Sequence, residues 1–322
     1  MTPFDNTHPF HDADLARTLL VLDNYEWIKQ QAADIGVSVI PLKGIDLLQT
    51  IYSERLDRPV RDIDIFCRCE KDCLRLVERL CQKEYHLAFP FSLYPKVLAT
   101  KRKVVLLSCN PNKVNIDIHM AFVTKNFFSR TIGSFNEDAL HRCTDNCMEA
   151  TDRWLFLAQH AAFHAFSDGK WIRDLYLLFN TFESEQQAAL REKARTYGFR
   201  RVMLATINRI FMHEESLQKE QFSAFDLSRS ERRVLRFFNS FHRPFGRSPI
   251  DRLITSYWEF VFIDRRIDRF RMWQQLMFPS SGILTNMYRI RWPITFWFYY
   301  PLNFLISGFT SVFFLIIYLL RS

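Results

Sequence analysis

The chain has 322 residues, 48% of them hydrophobic and 24% charged, a globular composition that excludes a largely disordered chain. Its formal charge of +8 favours anionic partners such as nucleotides, nucleic acid or an acidic membrane face, without choosing among them. Seven cysteines, an odd number scattered through a chain of this length, do not look like a secreted disulfide framework and fit a reducing cytosol better.

The N-terminus has no basic region followed by an apolar stretch, so no cleaved secretion signal is expected. From Asp12 to about Ile35 apolar residues recur at helical spacing, through Leu15, Leu19, Leu22, Tyr25 and Ile28, with Asp12 as a candidate N-cap. Val37 to Leu42 reads as a short strand ending at Lys43-Gly44, and Ile45 to Tyr52 returns to helical period: strand, glycine turn, helix. A loop with Asp57, Arg58 and Pro59 leads into Val60 to Phe66, an alternating strand that is acidic on one face. A helix is expected from about Glu70 to Lys83, then strands at Lys103 to Ser108 and Lys113 to Phe122 around the turn residues Cys109-Asn110-Pro111-Asn112.

Beyond about Thr151 the pattern becomes helical, with Trp154 to Phe166, Trp171 to Phe179, Ser184 to Tyr197 and Arg200 to Phe211 as candidate helices. The expected class is therefore α+β. A mixed-sheet domain occupies residues 1–148, a mainly helical domain 149–291, and an apolar segment 292–320. That last stretch, Trp292 to Leu320, has no charged residue and is long enough to cross a bilayer. Arg265, Arg266, Arg269, Arg271, Arg289 and Arg291 precede it, which would keep the body on the cytoplasmic side of a membrane. Pro293, Pro301, Asn303 and Gly308 interrupt the run and leave a buried helical hairpin as the other reading.

The chemistry concentrates in three acids. Asp62 and Asp64 are two apart on the expected strand, so their side chains leave the same face, while Ile63 and Ile65 turn to the core. Asp117, in Val114-Asn115-Ile116-Asp117-Ile118-His119, alternates with apolar neighbours as an adjacent strand would require. Hard carboxylate oxygens suit Mg²⁺ or Mn²⁺ together with substrate phosphates. In a two-ion arrangement Asp62 and Asp64 would bridge the ions, and Asp117 would complete one of them and accept the proton of an attacking hydroxyl.

Lys43 and Gly44 would bring a point charge and backbone amides to phosphate, and Arg58 and Arg61 could clamp it, or pair instead with Asp46 or Asp57. His119 should share the face of Asp117, orienting a carboxylate, touching phosphate or serving as a structural histidine. His160 and His164 have the i, i+4 spacing of a metal pair without the intervening glutamate of a zinc protease, so interdomain hydrogen bonding is the better reading, and Asp174 reads as a helix anchor. Cys67, Cys69, Cys73, Cys143 and Cys147 lack the paired spacing of a zinc site. No nucleic-acid recognition motif stands out.

Pro41-Leu42-Lys43-Gly44, Arg58-Pro59-Val60-Arg61-Asp62-Ile63-Asp64 and Ile116-Asp117-Ile118-His119, taken in that order, resemble the uncharacterised nucleotidyltransferase family of the DNA polymerase beta superfamily. Gln159-His160, Trp171-Ile172-Arg173-Asp174 and Leu276-Met277-Phe278-Pro279 extend the resemblance to about residue 290. It implies a minimal nucleotidyltransferase sheet with a helical domain behind it and metal ligands at Asp62, Asp64 and Asp117. The wider superfamily usually has Gly-Ser before the acidic strand, where this chain has Lys43-Gly44. The expected activity is transfer of a nucleoside monophosphate from a nucleoside triphosphate to a hydroxyl of an unspecified acceptor. The alternative is a nucleotide-binding or scaffolding module at the membrane that has the fold without turnover.

Overall fold

The computed structural model describes residues 12–53, 56–88, 102–123, 130–144, 146–164, 166, 168–211, 227–239 and 262–277, with 305, 308 and 309 near the C-terminus. Two compact units divide the chain: one comprises Thr7–Lys125 and Phe135–Ala150, the other Met1–Asn6, Asn126–Ser134 and Thr151–Ser322.

The first unit is a five-stranded mixed sheet with helices. Its strands are β1 (Val39–Pro41), β2 (Ile63–Cys67), β3 (Tyr85–Leu87), β4 (Lys103–Ser108) and β5 (Ile116–His119), in the order β1-β2-β5-β4-β3. Among the described residues only the β2–β5 pair is parallel. Helices α1 (Asp12–Asp34), α2 (Lys43–Thr50) and α3 (Glu70–Cys81) belong to the same unit. Period-two alternation assembles one face of the sheet from Ile63, Ile65, Val104, Leu106, Ile116 and Ile118, all buried, and the registers put them beside one another. Helix α3 packs on β2 and β3 and contacts α1, each burying an apolar stripe that includes Ile28 and Ala32 of α1 and Leu76 and Leu80 of α3. The opposite face of β2 and β5 carries Asp64, Asp117 and His119.

Several boundaries differ from the sequence reading for identifiable reasons. Strand β2 starts at Ile63 and not at Val60, because the preceding residues are tied to α1: Val60 N donates to Thr18 Oγ1 at 3.2 Å and Arg17 Nη2 donates to the Arg61 carbonyl at 3.1 Å. Ladder pairing with β5 then begins where Ile63 N donates to the Asn115 carbonyl. Lys43-Gly44 is not a turn ahead of the helix but the first turn of α2 itself, with Leu42 as the only residue between strand and helix. Strand β5 is the central four residues of the longer run expected. Strand β3, three residues long, is too short to show an alternation.

The second unit is helical. Helix α4 (Arg130–Arg142) begins in it and ends in the first unit; α5 (Ala150–Phe163), α6 (Gly169–Asn180), α7 (Ser184–Tyr197), α8 (Arg200–Ile210), α9 (Arg229–Asn239) and α10 (Arg266–Met277) follow. Its core centres on Trp154, fully buried, whose indole Nε1 donates to the Leu175 carbonyl at 3.1 Å and so joins α5 to α6. Gly198, in the left-handed conformation at φ 75°, ends α7 and lets α8 begin at Arg200. Helices α4, α9 and α10 were not anticipated from the sequence. Among the described residues no helix is long and apolar enough to cross a membrane; nearly all of the apolar stretch 292–320 lies outside them.

Candidate functional site

The parallel register pairs Asp64 of β2 with Asp117 of β5, and Phe66 with His119. Residues directly opposite on neighbouring strands share a face, so the two carboxylates and the imidazole converge. Ligand atoms of Asp64, Asp117 and His119 all lie within 4.8 Å of one another, close enough to hold one cation.

Asp64 is the buried centre of this group, 4% exposed. Lys43 Nζ reaches its Oδ1 at 2.6 Å and His119 Nε2 reaches the same oxygen at 2.8 Å. Burial disfavours its charge, but the Lys43 ammonium and the His119 hydrogen bond outweigh that penalty and hold the carboxyl well below the usual carboxylate range. For His119 burial wins: the Asp64 hydrogen bond offsets it only in part, and the imidazole is pushed below its ordinary value. A neutral ring beside an ionised carboxylate donates through Nε2, which leaves Nδ1 as an acceptor. That atom is buried without a hydrogen-bond partner among the described residues.

Asp117 is half-buried and bonds the ammonium of Lys103, the first residue of β4, whose register partner is His119. Lys103 is the site residue that sequence reasoning missed. A lysine opening a strand ordinarily marks a solvated edge, and only the β4–β5 register shows where it stands.

Lys43 opens α2 with φ 49°, a left-handed backbone conformation that residues with a β-carbon seldom adopt. Gly44 follows in helical conformation, and its importance is space: a β-carbon there would lie 2.8 Å from Val60 Cγ1 and 2.9 Å from Arg58 Nη1. The guanidinium of Arg58, itself buried, thus packs against the first turn of α2. Lys43, Gly44 and Arg58 meet at the first turn of α2, and of the three it is Lys43 that bonds Asp64.

Two expected members stand apart. Asp62 precedes β2, is exposed, and is not one of the three clustered ligands, although its spacing from Asp64 is that of residues sharing a strand face. Arg61 is exposed, and its guanidinium faces Asp14 of α1 at 3.8 Å, an acid absent from the sequence argument. In the helical unit, His160 and His164 gather around Trp171 with ring centroids 4.8 to 5.3 Å apart, and Asp174 is buried in α6.

The donor set fits a divalent ion: Asp64 and Asp117 offer hard carboxylate oxygens on facing strand positions, and a ring nitrogen of His119 lies within 4.8 Å of them. The family model for uncharacterised nucleotidyltransferases matches residues 11–210, more than half of the chain. The chain belongs to that family.

The match to this nucleotidyltransferase family spans the whole sheet and helices α1 to α8. Among curated proteins none matches the chain. A solution structure of the antibiotic-resistance factor ANT(2'')-Ia is similar at 13% identity, with a TM-score of 0.37, covering 56% of this chain and 92% of that one. So distant a likeness carries no argument about the site.

Proposed function

We propose that this family member transfers a nucleoside monophosphate from a nucleoside triphosphate to a hydroxyl of an acceptor, with release of pyrophosphate. The observation that carries the reading is the facing pair Asp64 and Asp117 on parallel strands, joined by His119 within 4.8 Å. Asp64 and Asp117 would hold the divalent cation, and Asp62, exposed just ahead of β2, is a further candidate ligand. Bound there as one or two ions of Mg²⁺ or Mn²⁺, the cation would supply Lewis-acid neutralisation of triphosphate charge.

The remaining work belongs to the chain's own groups. His119 keeps Asp64 oriented and ionised through the Nε2 hydrogen bond. Lys43, carried on the first turn of α2, puts positive charge next to Asp64, where phosphate oxygens would lie, and Arg58 packs against the same turn. The N-terminal end of α2 adds partial positive charge. The acceptor hydroxyl attacks the α-phosphorus, the bond from that phosphorus to the bridging oxygen breaks, pyrophosphate leaves, and the hydroxyl proton passes to a carboxylate oxygen of Asp117.

Calorimetric titration with each nucleoside triphosphate, with and without Mg²⁺ or Mn²⁺, tests the site. Metal-dependent binding that is lost in Asp64→Asn and Asp117→Asn is expected, and the absence of binding to any triphosphate would sink the reading. One observation favours a second reading, a nucleotide-binding module without turnover: both carboxylates already have lysine partners. Binding without pyrophosphate release in the presence of candidate acceptors would select it.

The uncharged stretch from Trp292 to Leu320, with arginines ahead of it, supports attachment to the cytoplasmic side of a membrane. Leu305 and Phe309 within it are 57% and 76% exposed. An acceptor from envelope, polysaccharide or modified-peptide synthesis fits such a location. Sedimentation of the full chain with liposomes, compared with a chain ending at Arg291, tests the attachment, and equal partitioning of the two would remove it.

A further inference from the structure

Each of the facing carboxylates has an ammonium of this chain as its partner. Lys43 Nζ lies 2.6 Å from Asp64 Oδ1, and Lys103 Nζ bonds Asp117 Oδ2. The lysines come from different elements, one from the first turn of α2 and one from the start of β4. Both side chains are largely withdrawn from solvent, 16% and 25% exposed. Lys43 holds its position in a backbone conformation, φ 49°, that its surroundings must impose.

We propose that Lys43 and Lys103 are the resident counter-charges of Asp64 and Asp117, and that they pass to the triphosphate when a divalent cation takes the carboxylates. Cation and nucleotide therefore bind together, and neither binds well alone. The inference rests on the nucleotidyltransferase reading and specifies how that site is loaded.

Charge balance is the reason. Two carboxylates and two ammoniums sum to zero in the ligand-free site. A divalent cation arriving alone meets two ammoniums at close range, and a triphosphate arriving alone meets two carboxylates. In a partly buried site such like-charge encounters are screened far less than in water. Arriving together, each finds the charge the other has released. Lysine suits the hand-over, since a point charge on a flexible four-carbon stem can turn from one acceptor to another, which a rigid guanidinium fork does less readily. The coupling is reciprocal: whatever factor nucleotide adds to cation affinity, cation adds to nucleotide affinity.

The test is calorimetric titration of the full chain with Mn²⁺ alone, with each α,β-methylene ribonucleoside triphosphate alone, and with both. Wild type, Lys103→Met, Lys43→Met and Lys103→Arg are compared, the two methionine variants lying on different elements so that one misfolded variant leaves the other to report. The wild type is expected to bind Mn²⁺ about tenfold or more tightly with the analogue present than without it. Either methionine variant should bind Mn²⁺ alone about tenfold more tightly than wild type and bind the Mn²⁺-loaded analogue more weakly, while Lys103→Arg stays close to wild type in Mn²⁺ affinity. If cation and analogue bind together but Mn²⁺ affinity is the same in wild type and both methionine variants, the hand-over is overturned and the enzymatic reading stands. If nothing binds the wild type in any combination, both fall.

Discussion

Asp64 and Asp117 are register partners on the parallel pair of the sheet, and each forms an ion pair with a lysine from a different element. Carboxylates set side by side repel, and the lysines are what make the arrangement tolerable in the ligand-free chain. Asp64→Asn should lower turnover by roughly 10²–10³-fold. It should also destabilise the chain by about 3 kcal/mol in urea denaturation, because Lys43 is left partly buried without its carboxylate.

Asp62→Asn separates catalysis from folding. The residue is exposed and lies ahead of β2, so stability should stay within about 0.5 kcal/mol of wild type. A fall in turnover at unchanged stability would place Asp62 among the groups acting on the reaction, and unchanged turnover would remove it from them.

Gly44→Ala pits two effects against each other. Alanine is favoured over glycine in a helix by about 1 kcal/mol. Its β-carbon, however, would lie under 3 Å from both Val60 Cγ1 and Arg58 Nη1, and Val60 is pinned to α1 through its amide. Overpacking of this kind costs about 1–3 kcal/mol, so the variant should be less stable by about 1 kcal/mol. Greater stability than wild type on thermal or urea unfolding would show that the 58–60 segment can yield.

The helical unit should show a pH signature. Asp264 caps α8, accepting from Arg200 N at 2.8 Å and Arg201 N at 3.0 Å. Burial nevertheless pushes its carboxyl up to about 6 from an ordinary 3.8, against the pull of those amides. Between those values the folded chain holds a proton that the unfolded chain has lost. Stability from this group is therefore complete below about 3.8 and declines as pH rises through about 6. Asp264→Asn should flatten that decline in denaturation midpoints measured from pH 4 to 7, and an unchanged slope would count against the assignment.

Trp154→Phe should cost about 1–3 kcal/mol, since it leaves a void in the core and deprives the Leu175 carbonyl of its indole donor. The loss should appear in the denaturation midpoint.

Much of this was legible in the sequence because it is periodic. Strand β4 and helix α7 have the predicted bounds, and the alternation around Asp64 and Asp117 foretold that they share a face of neighbouring strands. What escaped notice depends on non-local pairing. Lys103 acquires its role only from the register that puts it opposite His119, and Arg61 turns to Asp14 because the segment before β2 is tied to α1. Gly44 reads in one dimension as a turn that offers its amide to phosphate, and in three it is a matter of clearance for Val60 and Arg58. Helix α9 is rich in arginine, but Val234, Leu235 and Phe238 follow helical spacing, so this element too was legible in the sequence.

Strand β5 is the last of the five to be synthesised, yet it lies in the middle of the sheet, between β2 and β4. On the ribosome β1 and β2 can pair as soon as they emerge, and so can β3 with β4, but the two halves have no common strand until residues 116–119 arrive. Such distant pairings make closure a slow, late event in folding. A nascent chain stalled before Asn115 would have Asp64 without its imidazole and without its facing acid, so the metal affinity proposed for this site would appear all at once with the closing strand and would report on the completion of the sheet.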